Sequence, residues 1–181
     1  MNAELATFLQ HHTPVAKQSL LWNNGTMPLE VTSYLGQELP PLPLISSVRA
    51  VVLRGEQVLV VRDPEGCHIL PGGRREANET LLQTLQRELH EETGWSLSNS
   101  ILLGFLHFHH LGPYQPIYPT YPDFLQVVYC GQAKTFHPEA REQGGYELEA
   151  NFYPCSAVAD LHLSTSELAF LDAALQAQSL R

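Results

Sequence analysis

The chain has 181 residues, and at about 150 residues per domain it makes one domain with at most a small extra arm. An apolar content of 44% is enough for a self-supporting core, which excludes a disordered tail or a collagen-like rod. Ten Lys and Arg against 19 Asp and Glu leave a formal charge of −9, which argues against nonspecific binding to nucleic acid polymers or an anionic membrane.

Residues 3 to 10 place Leu5, Phe8 and Leu9 at helical spacing, followed by a polar turn at Asn23, Asn24 and Gly25 and an alternating apolar stretch from Leu29 to Leu35. Pro40, Pro41 and Pro43 then break the chain. Residues 1–45 therefore read as an N-terminal arm, a helix plus a strand, packed on a main domain of residues 46–181. Leu5, Phe8 and Leu9 could alternatively serve a homodimer contact. The N-terminal stretch lacks the charged flank and apolar core of a signal peptide, and no run of about 18 apolar residues occurs. Cys67, Cys130 and Cys155 are odd in number and show no C-x-x-C spacing, so a soluble protein of the reducing cytoplasm is expected.

From Val48 the pattern VRAVVLR, Gly55-Glu56, QVLVVRD predicts a hairpin of two β-branched strands. Further strands are expected at 101–109, 124–131 and 147–153. Ser164 and Glu167 form a capping box ahead of a helix whose stripe is Leu168, Leu171 and Leu175. Strands on both sides of a central helix, with a second helix at the end, imply an α/β sandwich with a mixed sheet.

That central helix follows the sharp loop Pro71-Gly72-Gly73. With Asn78 as N-cap and Gly94 as C-cap it runs from about Glu79 to about Glu92, and Leu81, Leu82, Leu85 and Leu89 form its core-facing arc. Glu88, Glu91 and Glu92 gather in its last turns. They repel one another at i,i+3 and i,i+4 and sit at the negative end of the helix dipole, and partial burial adds desolvation. Arg87 alone on the helix cannot neutralise three carboxylates. A hard divalent cation, Mg²⁺ or Mn²⁺, suits clustered carboxylate oxygens, and Mg²⁺ held this way usually also binds substrate phosphates. Arg49, Arg54, Arg62, Arg74, Arg75 and Arg87, six of the ten basic residues, cluster around this loop and helix.

The series Gly73, Glu79, Arg87-Glu88-Leu89, Glu91-Glu92, Gly94 and the apolar Trp95 resembles the complete Nudix box, a match expected by chance at a given position on the order of 10⁻⁸. The resemblance implies a Nudix-type α/β/α sandwich and a Mg²⁺- or Mn²⁺-dependent hydrolase of a pyrophosphate bond in a nucleoside diphosphate joined to another group. Candidate substrates are ADP-ribose-like or sugar nucleotides and nucleoside triphosphates. The resemblance also implies that Glu88, Glu91, Glu92 and the Gly73 carbonyl hold the metal. Glu88, Glu92 and Arg87 would make the catalytic set, with Glu88 expected as the water-activating base and Glu142, Glu147 and Glu149 as later candidates. Arg87 and Glu79 would tie loop to helix, with Gly72 and Gly94 shaping the two ends.

Arg74 and Arg75 are candidate phosphate contacts or a solvated pair. His107 and His109 share a strand face, but no third ligand is evident at suitable spacing, so they read as ordinary strand histidines, with His109 a candidate substrate contact. Pro113, Pro116, Pro119 and Pro122, interleaved with Tyr114, Tyr118 and Tyr121, predict an extended loop. It reads as a lid whose Tyr114 stacks on a base, or as a rigid loop or dimer contact. Rival functions are removal of oxidised nucleotides, a regulatory domain that only binds nucleotide, and an interaction module without metal dependence.

Overall fold

The computed structural model describes residues 3–115, 120–142 and 144–179. Helix α1, Ala3–Leu9, leads into strands β1, Pro14–Trp22, and β2, Met27–Leu35. Strands β3, Ile45–Arg54, and β4, Gln57–Asp63, form the expected hairpin, followed by the short strands β5, Gly66–His68, and β6, Gly72–Arg74. Helix α2, Leu81–Thr93, is followed by the long strands β7, Trp95–His110, and β8, Asp123–Phe136, then β9, Glu149–Pro154, and helix α3, Thr165–Ser179.

The described strands form one mixed sheet in the order β1-β2-β7-β8-β3-β4-β5, with β6 paired to β3 and β9 to β4. Only β3 and β8 run parallel, Val48 facing Val127. Period-two alternation divides the core in two. On one face Leu5, Tyr34, Val48, Ala50 and Phe105 pack under α1 and α2, and on the other Leu29, Val31, Val51, Leu106, Phe108 and Val128 pack toward Phe170, Leu171 and Ala174 of α3. No described helix is long and apolar enough to cross a membrane.

Several expectations change in detail. The first 45 residues hold a helix and two strands rather than a helix and one. β1 was hidden because it is an edge strand, polar at Lys17, Gln18 and Ser19, with alternate residues exposed. It pairs with β2 across the Asn23-Asn24-Gly25 turn, and β2 continues the main sheet against β7. Asn78 does not cap α2, because its left-handed φ of 71° takes it out of the extended geometry of an N-cap. The cap is Thr80, locked in a reciprocal capping box with Gln83. Leu82 is 50% exposed, outside the Leu81, Leu85, Leu89 stripe. In α3 the Ser164–Glu167 box forms as expected, but Leu168 is 39% exposed and the buried stripe is Phe170, Leu171 and Ala174.

Candidate active site

Arg87 organises the loop and helix. Its Nε and Nη2 donate to the two Glu79 oxygens at 2.8 and 3.1 Å, and Nη2 also donates to the Arg74 carbonyl at 3.0 Å. Nη1 reaches Glu88 at 2.9 Å and Glu91 at 3.1 Å. One guanidinium thus joins β6, the approach to α2 and its last turns, a use of the rigid fork that Lys could not reproduce. The Arg87 hydrogen bonds hold the Glu79 carboxyl down at about 2.

The Glu88 carboxylate lies directly on Gly73, where a Cβ would overlap it, so a side chain here would push the Glu88 carboxylate out of its present position. Gly72 donates its N–H to Glu92 at 2.7 Å. Gly94 closes α2 with a φ of 74°, its N–H donating to the His90 carbonyl at 2.9 Å. Burial pushes Glu88 above the usual carboxylate range against the pull of Arg87. Burial pushes Glu92 up to about 7, with Arg49 and the Gly72 N–H opposing and Glu147 and Glu88 adding to the rise.

Glu92 opens into a cavity of about 510 Å³ on the α3 side of the sheet. One part of the wall carries Arg49, His68, Glu92, Tyr146 and Glu147, and the other is apolar: Leu20, Trp22, Val31, Leu106 and Phe108. The Trp22 ring centroid lies 5.0 Å from that of Phe108. Burial, then the nearby Arg49 charge, lowers the His68 pKa and favours a neutral imidazole. The cavity has the size of a small-ligand site, charged at one end and aromatic at the other.

The donors available to a cation here are the carboxylate oxygens of Glu88, Glu91 and Glu92. Buried carboxylates with raised pKa values and incomplete compensation from Arg49 and Arg87 fit a hard divalent ion.

A model of the NUDIX domain family matches residues 43–172. The chain belongs to the Nudix family. Its box is that of a Nudix-type hydrolase. The NUDIX hydrolase from Nitrosomonas europaea is similar in structure, with a TM-score of 0.54 at 22% identity over 71% of this chain and 87% of that one. The Bacillus subtilis pyrophosphohydrolase BsRppH gives 0.57 at 14% identity over 90% and 96% of the two chains. A protein described as an ADP compounds hydrolase gives 0.50 at 14% identity over 91% and 92%. At these identities the likeness is one of fold. A search of curated protein sequences finds no match.

The Nudix fold brings Gly72, Gly73, Glu79, Arg87, Glu88, Glu91, Glu92 and Gly94 into one assembly, with Glu91 at its exposed side. Of the later glutamates, Glu147 lines the cavity, Glu149 is engaged by Arg62 and Glu142 is exposed. Arg74 pairs with Ser47 in the β6–β3 register, on the sheet face of Arg49. Arg75 instead turns to the Leu42 carbonyl at 3.2 Å, so it braces the segment before β3. Tyr114 is exposed and stacks edge-on against Tyr121 at 5.3 Å, away from the cavity lining. Pro116, Tyr118 and Pro119 lie outside the described residues. His109 sits on the sheet face opposite the cavity, because Leu106 and Phe108 take the cavity-side positions of β7.

The sequence reading passed over His68, Tyr146, Trp22, Phe108 and Gln126 as site residues. Arg49 had a detectable signal: in VRAVVLR it falls on the inward face in line with Val51 and Leu53, where a charge needs a reason.

Proposed function

We propose that the protein hydrolyses a pyrophosphate bond in a nucleoside diphosphate joined to a second group, with Mg²⁺ or Mn²⁺ as cofactor. The observation that carries this reading is the single cavity in which Glu92 and Glu147 face Arg49 at one end while Trp22 and Phe108 form an aromatic wall at the other. This polarity matches a substrate with a charged diphosphate and a flat base. A nucleoside triphosphate shares this polarity, and the substrate panel below separates the two.

Glu88, Glu92, Glu91 and the Gly73 carbonyl would hold the cation. When bound, it neutralises phosphoryl oxygens and acidifies a water. Arg49 and Arg74, on one sheet face, bind the outer phosphate oxygens. Trp22 and Phe108 hold the base and fix the diphosphate against the carboxylates, supplying orientation. Glu147 accepts the proton of the attacking water. It is preferred to Glu88, whose carboxylate already accepts from Arg87 and lies behind Gly73. His68, kept neutral, leaves the charge balance at the diphosphate to the arginines.

The test is a panel of dinucleotides, nucleotide sugars, nucleoside triphosphates and oxidised triphosphates with Mg²⁺, followed by product identification. Metal-dependent release of a nucleoside monophosphate from a two-sided diphosphate supports the reading. Turnover confined to triphosphates overturns the substrate assignment, and nucleotide binding without turnover overturns the enzymatic one.

A further inference from the structure

Away from the catalytic cavity, on the other face of the sheet, β7 and β8 bring together three metal-ligating side chains. Register pairs His109 with Asp123 and His107 with Leu125, so both imidazoles and the carboxylate project from one face of adjacent strands. His107 Nε2 and His109 Nδ1 each lie 2.8 Å from Asp123 Oδ1. One ligand atom from each residue falls within 4.8 Å of the others. Asp123 and His107 are 2% and 6% exposed, while His109 is 33% exposed and opens the cluster to solvent.

We propose that His107, His109 and Asp123 form a second metal site, specific for a first-row divalent transition ion of the zinc type. Two imidazole nitrogens and one carboxylate are the donor set such ions prefer, whereas Mg²⁺ demands six oxygens in near-octahedral geometry. The ion takes the place of the two bridging protons. Each ring carries its proton on the other nitrogen and turns a lone pair inward, and the donors spread from 2.8 Å toward the roughly 3.4 Å edge of a tetrahedron with bonds of about 2.1 Å. The exposed side of His109 admits a water as fourth ligand. Glu30, the cross-strand neighbour of His109 on β2, adds negative charge on the same face, tempered by Lys17 at 3.0 Å. The site ties the end of β7 to the start of β8, where the chain returns from the Pro-Tyr segment.

The experiment uses the full chain with Glu88, Glu91 and Glu92 all changed to Gln, which silences the box, and Zn²⁺ alone as probe in equilibrium dialysis with metal analysis. The expected result is one Zn²⁺ per chain, with affinity reduced at least about a hundredfold by His109→Ala on the same background. Substoichiometric uptake by the box-silenced chain overturns the proposal. So does uptake unchanged by His109→Ala, which would assign the zinc to other histidines such as the His90 and His137 pair, whose rings lie 5.3 Å apart. His109 is the most exposed of the three, so its removal should leave the fold intact, as checked by circular dichroism. Co²⁺ provides a second readout: the box-silenced chain should show the intense visible bands of a four-coordinate ion, and His109→Ala should abolish them.

Discussion

Glu92 and Asp123 are both carboxylates drawn into the protein, one on each face of the sheet, and they titrate in opposite directions. Burial takes Glu92 up to about 7, whereas Asp123 is held down at about 2 although burial acts on it too. The difference lies in the donors within reach. Asp123 receives two imidazoles at 2.8 Å on a single oxygen, while Glu92 receives one backbone N–H at 2.7 Å and sees Arg49 only through space. Hydrogen bonding to the charged form exceeds desolvation at Asp123, whereas the Arg49 charge and one N–H do not exceed it at Glu92. In the metal-free chain one carboxylate is held by the two imidazoles that would share an ion with it, and it braces the fold. The other is left short of positive charge at the cavity wall, which is costly for stability and useful for binding a cation and polyphosphate.

Removing each carboxylate should therefore have opposite signatures. Glu92→Gln is expected to lower kcat/KM by at least about a hundredfold while leaving the melting temperature of metal-free protein unchanged or higher, because a desolvated charge has been removed. Glu147→Gln should lower kcat by about a hundredfold or more at unchanged activation constant for Mg²⁺, whereas Glu88→Gln should raise that constant. If Glu88→Gln reduced kcat at saturating Mg²⁺ and Glu147→Gln did not, the proton acceptor would be Glu88. In contrast, Asp123→Ala should cost about 3 kcal/mol of stability, read by denaturant unfolding, because it strands two imidazoles that share one buried partner. Turnover of the folded fraction should persist.

These two sites differ just as much in how legible they are in the sequence. Glu88, Glu91 and Glu92 crowd one helix at i,i+3 and i,i+4, so their repulsion is visible before any tertiary structure is known. Arg87 and Glu79 are eight residues apart on the same local unit. Asp123 is 16 and 14 residues from its two histidines, and only the β7–β8 register brings them together, so His107 and His109 looked two-membered. Trp22 was obscured for a similar reason: it ends a polar edge strand, and folding alone carries it to the wall containing Glu92, whereas Glu147 could be named as a candidate beside Glu142 and Glu149 and only the fold singles it out. Conversely, Arg75 looked equivalent to Arg74 next to it, until pairing of β6 with β3 turned the two side chains to different surroundings.

The pH dependence of stability extends the same contrast. Glu92 has a folded pKa raised above 4.5, so its contribution in metal-free protein is complete below that value and declines as pH rises through about 7. Asp123 has a folded pKa depressed below 3.8, so its contribution is complete above that value and is lost as pH falls toward 2, amounting to about 2 kcal/mol. Melting temperatures of chelator-treated protein should thus fall between pH 5 and 8, and Glu92→Gln should flatten that decline. Added Mg²⁺ should restore the loss in the native chain and not in the variant. A decline that Glu92→Gln leaves intact would place the responsible group elsewhere.

The smallest expected effect concerns the aromatic end of the cavity. Trp22 stands at the end of β1 with its ring against Phe108 and 6.1 Å from Phe124, so the aromatic wall is assembled by packing within the protein. Stacking of a base on such a ring contributes about 1 to 3 kcal/mol, so Trp22→Ala should raise KM for a nucleotide substrate about tenfold. Because the stacking surface lies far from the reacting phosphorus, it stabilises ground state and transition state alike, and kcat should stay within about twofold. Trp22→Phe keeps a ring face and should recover most of the loss. A general packing defect would instead lower the melting temperature and reduce kcat in both variants, and loss of kcat in Trp22→Ala without any change in KM would show that the base binds somewhere other than this wall.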